Sequence, residues 1–221
     1  MAELEIDRLS LSFGGLTVLD DLSLKVEAGE LFALIGANGA GKTSVFNCIS
    51  GLYHGTGSIR FRGRELTGLT PHAIARLGMA RTFQHGELSS HMTVIDTLLT
   101  GRHAHCRHNL LAEMLFLPSV RRDEMVVGFA RALAMEPKLL LLDEPSAGLN
   151  RDEREDLARF ILRVKGELGL PTLWIEHDMQ MIADLADRAH VLDYGCTLAS
   201  GAPADVLRDQ RIIEAYLGKG G

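Results

Sequence analysis

Cysteine is scarce in this sequence, and net positive charge is absent from it. The chain has 3 cysteines among 221 residues and a formal net charge of −6. Cys48, Cys106 and Cys196 are scattered and fit no metal-ligand spacing, so we interpret them as reduced thiols in a reducing compartment. The negative charge argues against a nucleic acid as a partner, because non-specific binding to a phosphate backbone requires a basic surface.

Long apolar runs, leader sequences and repeats are also missing. No uninterrupted apolar stretch is long enough to span a bilayer. The first five residues are acidic and do not resemble a signal peptide. The length of 221 residues and the 46% hydrophobic content suit one α/β core with small appendages. We therefore expect a single domain, residues 1–221, located in the cytoplasm.

Histidines are the one abundant candidate for metal ligation. His103, His105 and His108 lie close together, but no firm set of further ligands accompanies them. Arg102 and Arg107 alternate with them, which favours a solvated surface over a metal site.

A glycine-rich segment, residues 36–43, fits the phosphate-binding pattern G-x-x-x-x-G-K-[ST] without a mismatch. The apolar run 31–35 before it predicts a buried strand, and residues 44–49 after it predict a helix. In this context, glycines let backbone N–H groups point at phosphate oxygens, and the helix N-terminus adds partial positive charge. Lys42 can then reach the β- and γ-phosphates, and the Thr43 hydroxyl can hold Mg²⁺. The residues predicted to hold a nucleoside triphosphate here are Gly36, Ala37, Asn38, Gly39, Ala40, Gly41, Lys42, Thr43 and Ser44.

A second motif, residues 139–145, consists of four leucines followed by Asp143, Glu144 and a proline. A continuous apolar run bounded by prolines predicts a strand buried on both faces of a parallel sheet. The two acids then lie at the carboxyl end of the strand, where α/β sheets place their sites. Asp143 is placed to hold Mg²⁺, and Glu144 to orient and deprotonate the attacking water. The alternative is that both acids cap a helix starting near Arg151, but the acids at positions 152, 153 and 155 suit that role better.

Alternation of polar and apolar residues predicts how the chain is organised. Residues 4–13, 22–26 and 58–62 alternate like antiparallel strands, residues 71–78 predict a short helix, and residues 92–127 are helix-rich. From residue 139 onwards strands and helices alternate, which implies a largely parallel sheet with right-handed crossovers. The elements expected there are a strand from residue 139, a helix at 152–168, a strand at 172–176, a helix at 179–187, strands at 189–194 and 197–201, and a helix at 204–217.

These two motifs resemble those of the ATP-binding subunits of ABC transporters, and four further landmarks occur in the order typical of that family. Phe13 resembles the aromatic residue that stacks on adenine. Gln84, in the sequence Arg-Thr-Phe-Gln, resembles the Q-loop glutamine, which senses Mg²⁺ and the γ-phosphate and faces the membrane partner. Residues 146–150, Ser-Ala-Gly-Leu-Asn, resemble the D-loop that crosses the dimer interface. His177 resembles the switch histidine that contacts the γ-phosphate.

The resemblance covers nearly the whole chain and implies a fold, two cofactors and a set of site residues. The implied fold is a P-loop NTPase core with a mostly parallel sheet, an antiparallel β subdomain and a helical subdomain that is truncated here to about residues 92–127. The implied cofactors are ATP and Mg²⁺. Glu144, His177 and Gln84 would be catalytic, and Thr43, Gln84 and Asp143 would hold the metal.

The chain departs from the family pattern at the signature loop. The helix that normally follows this loop is present at residues 128–134, but the residues before it contain neither Ser-Gly-Gly nor Tyr-Gly. The interval from Gln84 to Asp143 is also clearly shorter than in ordinary relatives. Either a segment of the protein is absent from this sequence, or the chain is truly shortened and hydrolyses ATP poorly. The presence of both Glu144 and His177 favours the first interpretation.

Details of the motifs look like the ATPases of branched-chain amino acid importers, a group that also includes importers of urea, amides and other amino acids. The implied partners are a second ATP-binding subunit of the same or a different kind, membrane permease subunits and, indirectly, a solute-binding protein. The implied location is the inner face of the cell membrane. Two alternatives remain: a nucleotide-binding subunit without efficient hydrolysis, and a soluble ABC ATPase with no role in transport.

Overall fold

Two β-sheets dominate the computed structural model, which describes residues 2–82 and 132–212. The strands are β1 (Ala2–Phe13), β2 (Leu16–Glu27), β3 (Leu31–Gly36), β4 (Thr56–Phe61), β5 (Arg64–Glu65), β6 (Met79–Arg81), β7 (Leu139–Asp143), β8 (Thr172–Ile175), β9 (Arg188–Asp193) and β10 (Cys196–Gly201). The helices are α1 (Lys42–Ile49), α2 (Pro71–Arg76), α3 (Arg151–Leu168), α4 (Met179–Leu185) and α5 (Pro203–Val206).

The larger sheet has six strands in the order β10-β9-β3-β8-β7-β6. All neighbouring pairs are parallel except β10 with β9. Strand β3 lies at the centre, with β8 beside it and β7 next along. The carboxyl ends of β3, β8 and β7 therefore lie side by side at one edge of the sheet, which is where ligands bind in open α/β sheets.

The smaller sheet has four antiparallel strands in the order β2-β1-β4-β5. Its apolar face packs with α1 against the larger sheet, and together they form the main hydrophobic core. Strand β7 contributes to both sides of its sheet: Leu139 and Leu141 join this core, whereas Leu140 and Leu142 pack towards α3 and α4. Burial of each such side chain contributes about 2 kcal/mol, which explains why the strand is apolar without a break.

Helix α3 begins after the turn that follows β7. The Asn150 side chain accepts a hydrogen bond from the Glu153 backbone N–H, and the Glu153 carboxylate accepts one from the Asn150 N–H. This capping box satisfies two donors at the helix start. The helix ends at Gly169, which adopts the left-handed conformation. Asp143 and Glu144 take no part in the cap, in agreement with the interpretation preferred from the sequence.

The predicted fold class is confirmed, with four local differences. Strand β2 begins at Leu16, six residues earlier than predicted, because it pairs with β1 from the hairpin onwards. The two-residue strand β5 and the three-residue strand β6, each at the edge of its sheet, were not predicted. The helix expected at 204–217 is wrong in its first part: α5 ends at Val206, and the Asp209 carboxylate accepts a hydrogen bond from the Arg211 N–H where a new helical turn begins.

Several predictions lie outside the described residues. They concern Gln84, the helix-rich segment 92–127, the histidines at positions 103, 105 and 108, Cys106, and the end of the final helix.

Of the other two cysteines, Cys48 is buried and Cys196 is exposed, and neither forms a disulfide. Within residues 2–82 and 132–212, none of the helices has the length and apolar composition that a bilayer crossing requires.

Candidate nucleotide-binding site

The loop between β3 and α1 is shaped by its glycines and by the chain packed behind it. Gly41 precedes α1 with a φ of 104°, and a Cβ there would lie 2.9 Å from the Val18 carbonyl oxygen. A Cβ on Gly36 would lie 2.5 Å from the Leu192 carbonyl oxygen. The Gly195 N–H donates to the Ala40 carbonyl at 3.0 Å, so the turn between β9 and β10 holds the loop in place through a backbone hydrogen bond. Only glycine fits at these two loop positions without displacement of the neighbouring backbone.

Lys42, the first residue of α1, is buried beneath this loop. Its Nζ donates to the carbonyl oxygens of Gly36 at 2.6 Å and Ala37 at 3.0 Å. Burial lowers the pKa of the Lys42 ammonium from its ordinary value, while the charges of Glu144 and Asp143 oppose that shift. The lysine of the first motif and the two acids of the second motif are therefore close enough to interact electrostatically.

Asp143, at the end of β7, is held by an arginine from the neighbouring edge strand. Arg81 Nη2 donates to Asp143 Oδ2 at 2.7 Å, and both side chains are only 8% exposed. The same guanidinium donates to Asn47 Oδ1 at 2.8 Å and lies over the Phe46 ring. Because Asn47 and Phe46 belong to α1, this one arginine connects the phosphate-loop helix to the acidic end of β7.

Glu144 directly follows β7 and contacts the predicted switch histidine. His177 Nε2 lies 2.6 Å from Glu144 Oε1. The Glu144 backbone has a φ of 47°, a left-handed conformation that costs roughly 1–3 kcal/mol in a residue other than glycine and is typical of functional sites. Its N–H donates to the Ile175 carbonyl at 3.0 Å, which fixes the turn against the end of β8. The structure thus brings together two residues that lie 33 positions apart in sequence.

Glu176 lies between the end of β8 and His177 and is almost completely buried, at 2% exposure. Its Oε1 accepts hydrogen bonds from Ser146 Oγ at 2.7 Å and from the His177 N–H at 2.7 Å. A third, longer bond comes from the Asp178 N–H at 3.2 Å. The segment that resembles the D-loop is therefore connected through one carboxylate to His177, the predicted switch histidine.

Phe13, the residue predicted to stack on adenine, lies at the end of β1 with 48% of its surface exposed. Tyr53 packs edge-to-face against it, with the ring centroids 5.1 Å apart and the planes at 78°. Such an arrangement restrains the Phe13 ring while leaving much of it open to a planar ligand.

Three residues of this site were not predicted as functional: Arg81, Glu176 and Tyr53. Arg81 and Glu176 each directly adjoin or lie near a motif, but a motif gives no information on which neighbouring side chain turns inwards. A buried charged residue next to a predicted site residue is the signal that could have drawn attention to both. Tyr53 carries no comparable signal in the sequence.

The oxygen donors of the site fit Mg²⁺, which prefers carboxylate and hydroxyl ligands supplemented by phosphate and water. Thr43 is exposed at the start of α1, and Asp143 offers a carboxylate at the neighbouring strand end. Within the described part of the chain, no cluster of three or more histidine, cysteine, aspartate or glutamate residues is arranged to hold a metal. A magnesium ion that is mostly held by the nucleotide needs no such cluster.

Comparisons with known proteins agree with this geometry. The family model described as ABC transporter matches residues 19–147. The high-affinity branched-chain amino acid transport ATP-binding protein BraF of Pseudomonas aeruginosa is 37% identical over 249 aligned positions, which cover 98% of each chain. LivG of Escherichia coli, with the same description, is 35% identical over the same span. Because 249 positions exceed the 221 residues of this chain, these relatives contain residues that have no counterpart here.

Solved structures give the same result. The structure of a nucleotide-free ATP-binding cassette from an ABC transporter superposes with a TM-score of 0.84 at 26% identity, covering 99% of this chain and 100% of the other. The ADP conformation of MJ1267, an ATP-binding cassette of an ABC transporter, gives the same TM-score and coverage at 27% identity.

Proposed function

We propose that this chain, which belongs to the ABC transporter family, is an ATP-hydrolysing subunit that powers the import of branched-chain amino acids or related polar solutes. The family membership gives ATP binding and hydrolysis as the activity. The solute class comes from the relatives, whose descriptions name branched-chain amino acid transport. Transport systems of this type choose their solute through other subunits, so the proposal for this chain concerns the energy source.

The observation that carries the proposal is the meeting of two motifs at one sheet edge. Lys42 follows β3, and the hydrogen-bonded pair of Glu144 and His177 follows β7 and β8. A glycine loop that cradles phosphates therefore lies beside a carboxylate and an imidazole that can act on the terminal phosphate. This is the arrangement that phosphoryl transfer to water requires.

Each side chain has a defined task in hydrolysis. Lys42 neutralises charge on the β- and γ-phosphates, and the backbone N–H groups of residues 36–44 bind their oxygens. Glu144 orients the attacking water and accepts its proton, while His177, hydrogen-bonded to Glu144, contacts the γ-phosphate. Phe13 stacks on the adenine. Gln84 completes the set as the sensor of Mg²⁺ and γ-phosphate.

Thr43 and Asp143 would hold Mg²⁺, together with Gln84. When bound, the ion would supply positive charge that offsets the negative charge of the phosphates. On the protein side, Arg81 orients the Asp143 carboxylate through Oδ2. Because Arg81 already holds the Asp143 side chain in one orientation, little side-chain entropy is lost when the carboxylate binds the ion.

The partners are a second ATP-binding subunit and the membrane permease. Residues 146–150 would cross the interface between the two ATP-binding subunits, and the region around Gln84 would face the permease. The complex would sit on the inner face of the cell membrane. ATP would close the pair of ATPases and hydrolysis would reopen it.

The loss of Lys42 is the direct test of nucleotide binding. We expect Lys42→Ala to weaken Mg²⁺-ATP binding by at least about 100-fold, because the loss of a cation that binds phosphate oxygens costs roughly 3 kcal/mol or more. Isothermal titration calorimetry with Mg²⁺-ATP measures this loss. Equal affinity of the variant and the original chain would reject the phosphate-loop assignment.

The loss of the Glu144 charge tests hydrolysis separately from binding. We expect Glu144→Gln to bind Mg²⁺-ATP normally and to hydrolyse it about 10²- to 10⁴-fold more slowly, the usual contribution of a general base. Phosphate release from the purified chain and from its complex with the permease measures turnover. A variant that turns over at the original rate would remove Glu144 from the mechanism.

A second function, nucleotide binding without efficient turnover, is favoured by the missing signature loop. In the family, the signature loop of one subunit completes the γ-phosphate site of the other, so its loss would leave one side of the nucleotide open. The intact mass of the purified protein distinguishes the two functions. A mass of 24.1 kDa would mean that the chain is truly short and that the second function applies unless turnover is measured. A mass several kilodaltons higher would mean that the segment exists in the protein.

A further inference from the structure

Glu176 is a buried acid at the centre of the candidate site, and it has no assigned task in the proposed hydrolysis. It is the first residue after β8, and 2% of its surface is exposed. Its Oε1 accepts three hydrogen bonds, from Ser146 Oγ, the His177 N–H and the Asp178 N–H. Its Oε2 is buried and has no hydrogen-bond partner among the residues that the structure describes.

A carboxylate is an unfavourable choice for this position on stability grounds alone. A buried polar atom without a partner lowers stability, and a buried charge does so more strongly. Any benefit of Glu176 to stability or activity must therefore come from the three hydrogen bonds that its Oε1 accepts. These bonds join two different connecting segments, the one between β7 and α3 and the one between β8 and α4.

The segment on the β8 side is itself firmly anchored. The Asp178 carboxylate caps α4 by accepting from the Gln180 and Met181 N–H groups. Its other oxygen accepts from Arg154 of α3 at 3.1 Å. Glu176 consequently connects Ser146 to a segment that is itself held by α3 and α4.

The contacts close into a ring. Glu144 contacts His177 through its side chain, His177 contacts Glu176 through its backbone, and Glu176 contacts Ser146, which is only two residues after Glu144. A displacement of the Ser146 turn therefore either breaks the bond from Ser146 to Glu176 or moves the other members of the ring. The ring links the turn that contains Ser146 to Glu144 and His177, the two groups to which the proposed function assigns the reacting phosphate.

We propose that Glu176 is a positioning residue that holds His177 against Glu144 and transmits the position of the Ser146–Asn150 turn to both. The inference rests on the proposed function, because it assigns His177 to the γ-phosphate. Glu176 itself touches no reacting atom. Its loss should therefore reduce turnover and the preference for ATP over ADP, and it should change ADP affinity little.

Two variants of Glu176 and one of Ser146 test this role. We expect Glu176→Ala to lower kcat by about 10- to 100-fold with a much smaller change in KM for ATP, as is usual when a supporting contact behind a catalytic group is lost. Calorimetry with Mg²⁺-ATP and Mg²⁺-ADP should show the preference for ATP falling in parallel. Glu176→Gln should restore most of both properties, because its amide oxygen can accept the same three bonds.

Ser146→Ala tests the connection itself. It removes one donor from the ring and leaves His177 and Glu144 intact. We expect a smaller loss of kcat than in Glu176→Ala, and no further loss when the two substitutions are combined, since both break the same link. Additive effects in the double variant would show that Ser146 and Glu176 act separately and would overturn the proposal.

Thr172→Val is the matched control for stability. Thr172 is also buried and lies at the opposite end of the same strand, where its hydroxyl donates to the Leu170 carbonyl at 3.1 Å. We expect this variant to unfold at lower urea concentration with kcat and the ATP preference unchanged. If it reproduces the kinetic loss, Glu176 acts only through stability and the proposal fails.

The remaining outcomes separate this inference from the proposed function. An original chain that does not bind Mg²⁺-ATP overturns the proposed function, and this inference with it. If the original chain binds ATP without turnover, the ATP preference decides: an unchanged preference in Glu176→Ala overturns the inference, and a reduced one supports it. If the original chain hydrolyses ATP and Glu176→Ala does so equally well, the inference alone is wrong.

Discussion

The two halves of the candidate site are built in different ways. The phosphate loop is a backbone structure: its shape depends on glycines at positions 36 and 41 and on carbonyl and N–H groups of the neighbouring strands. The strand-end cluster, formed by Arg81, Asp143, Glu144, Ser146, Glu176 and His177, is a network of side chains. The first half comes from one stretch of sequence, whereas the second is assembled from three: residue 81, residues 143–146 and residues 176–177.

This difference determines how each half can fail. A backbone cradle loses its function when a side chain is added where none fits. A side-chain network loses its function when one member is removed, because the partners then remain buried without compensation. Substitutions of opposite kinds therefore separate the two halves: removal of a side chain tests the network, and addition of a methyl group tests the loop.

Removal of the Arg81 charge should cause the largest loss of stability. The Asp143 carboxylate would stay buried beside Glu144 without its guanidinium partner, and the removal of one member of a buried pair costs about 3–5 kcal/mol. Arg81→Met keeps the apolar packing on Phe46 while it removes the charge. The free energy of unfolding in urea, compared with that of the original chain, measures the effect.

Arg81→Lys is the control for charge against geometry. Lysine keeps the positive charge but cannot bond Asp143 and Asn47 with one planar group, so we expect an intermediate loss. If Arg81→Met destabilises the chain by less than about 1 kcal/mol, the pair is a weak surface-type ion pair and the description of the cluster as a network of dependent members is wrong.

The same difference explains what the sequence could predict. The strand, the glycine-rich loop and the helix around residues 36–43 could be predicted because they are contiguous in sequence, and the alternation of strands and helices predicted the parallel sheet. Asp143, Glu144 and His177 were predicted from motifs, and the structure places them at adjacent strand ends. Arg81 and Glu176 could not be assigned from the sequence, because their inward orientation depends on strand pairing between distant segments. The end of α5 at Val206 was missed for a different reason: a local contact, in which the Asp209 carboxylate accepts from the Arg211 N–H, outweighs the helical pattern.

An added methyl group should damage the loop half and leave the network intact. Gly41→Ala places a Cβ 2.9 Å from the Val18 carbonyl and 2.8 Å from Leu19 Cδ2, at a φ of 104°. Strain and overpacking together cost about 2–4 kcal/mol, and the affinity for Mg²⁺-ATP should fall as the loop shifts. Unfolding in urea and calorimetry measure the two effects.

Gly39→Ala is the matched control for this substitution. Gly39 also has a positive φ, of 83°, but a Cβ there would meet nothing within 4 Å. We expect a loss of only about 1 kcal/mol, from backbone strain alone. If both alanine variants lose the same free energy of unfolding, the positive φ of each glycine, and not contact with β2, determines the shape of the loop.

A pH-dependent effect concerns His190, which lies in β9 opposite Leu34 of β3, the strand that leads into the phosphate loop. Burial lowers the pKa of the imidazole to about 4, and the charge of Arg188 adds to the shift. Between pH 6.5 and 4 the unfolded chain binds a proton that the folded chain does not bind. The stabilising contribution is therefore complete above pH 6.5 and is lost as the pH falls towards 4.

From pH 7 to pH 5 this linkage amounts to about 2 kcal/mol of unfolding free energy. His190→Gln removes the titrating group while keeping a side chain that can bond the Thr197 hydroxyl. Urea unfolding of both proteins at the two pH values isolates the histidine, because the carboxylates common to both contribute equally to each. The variant should lose about 2 kcal/mol less than the original chain over this range. If both proteins lose the same free energy of unfolding, His190 in β9 contributes nothing to the acid sensitivity of the fold. That sensitivity would then reside in the carboxylates, including those of the strand-end cluster.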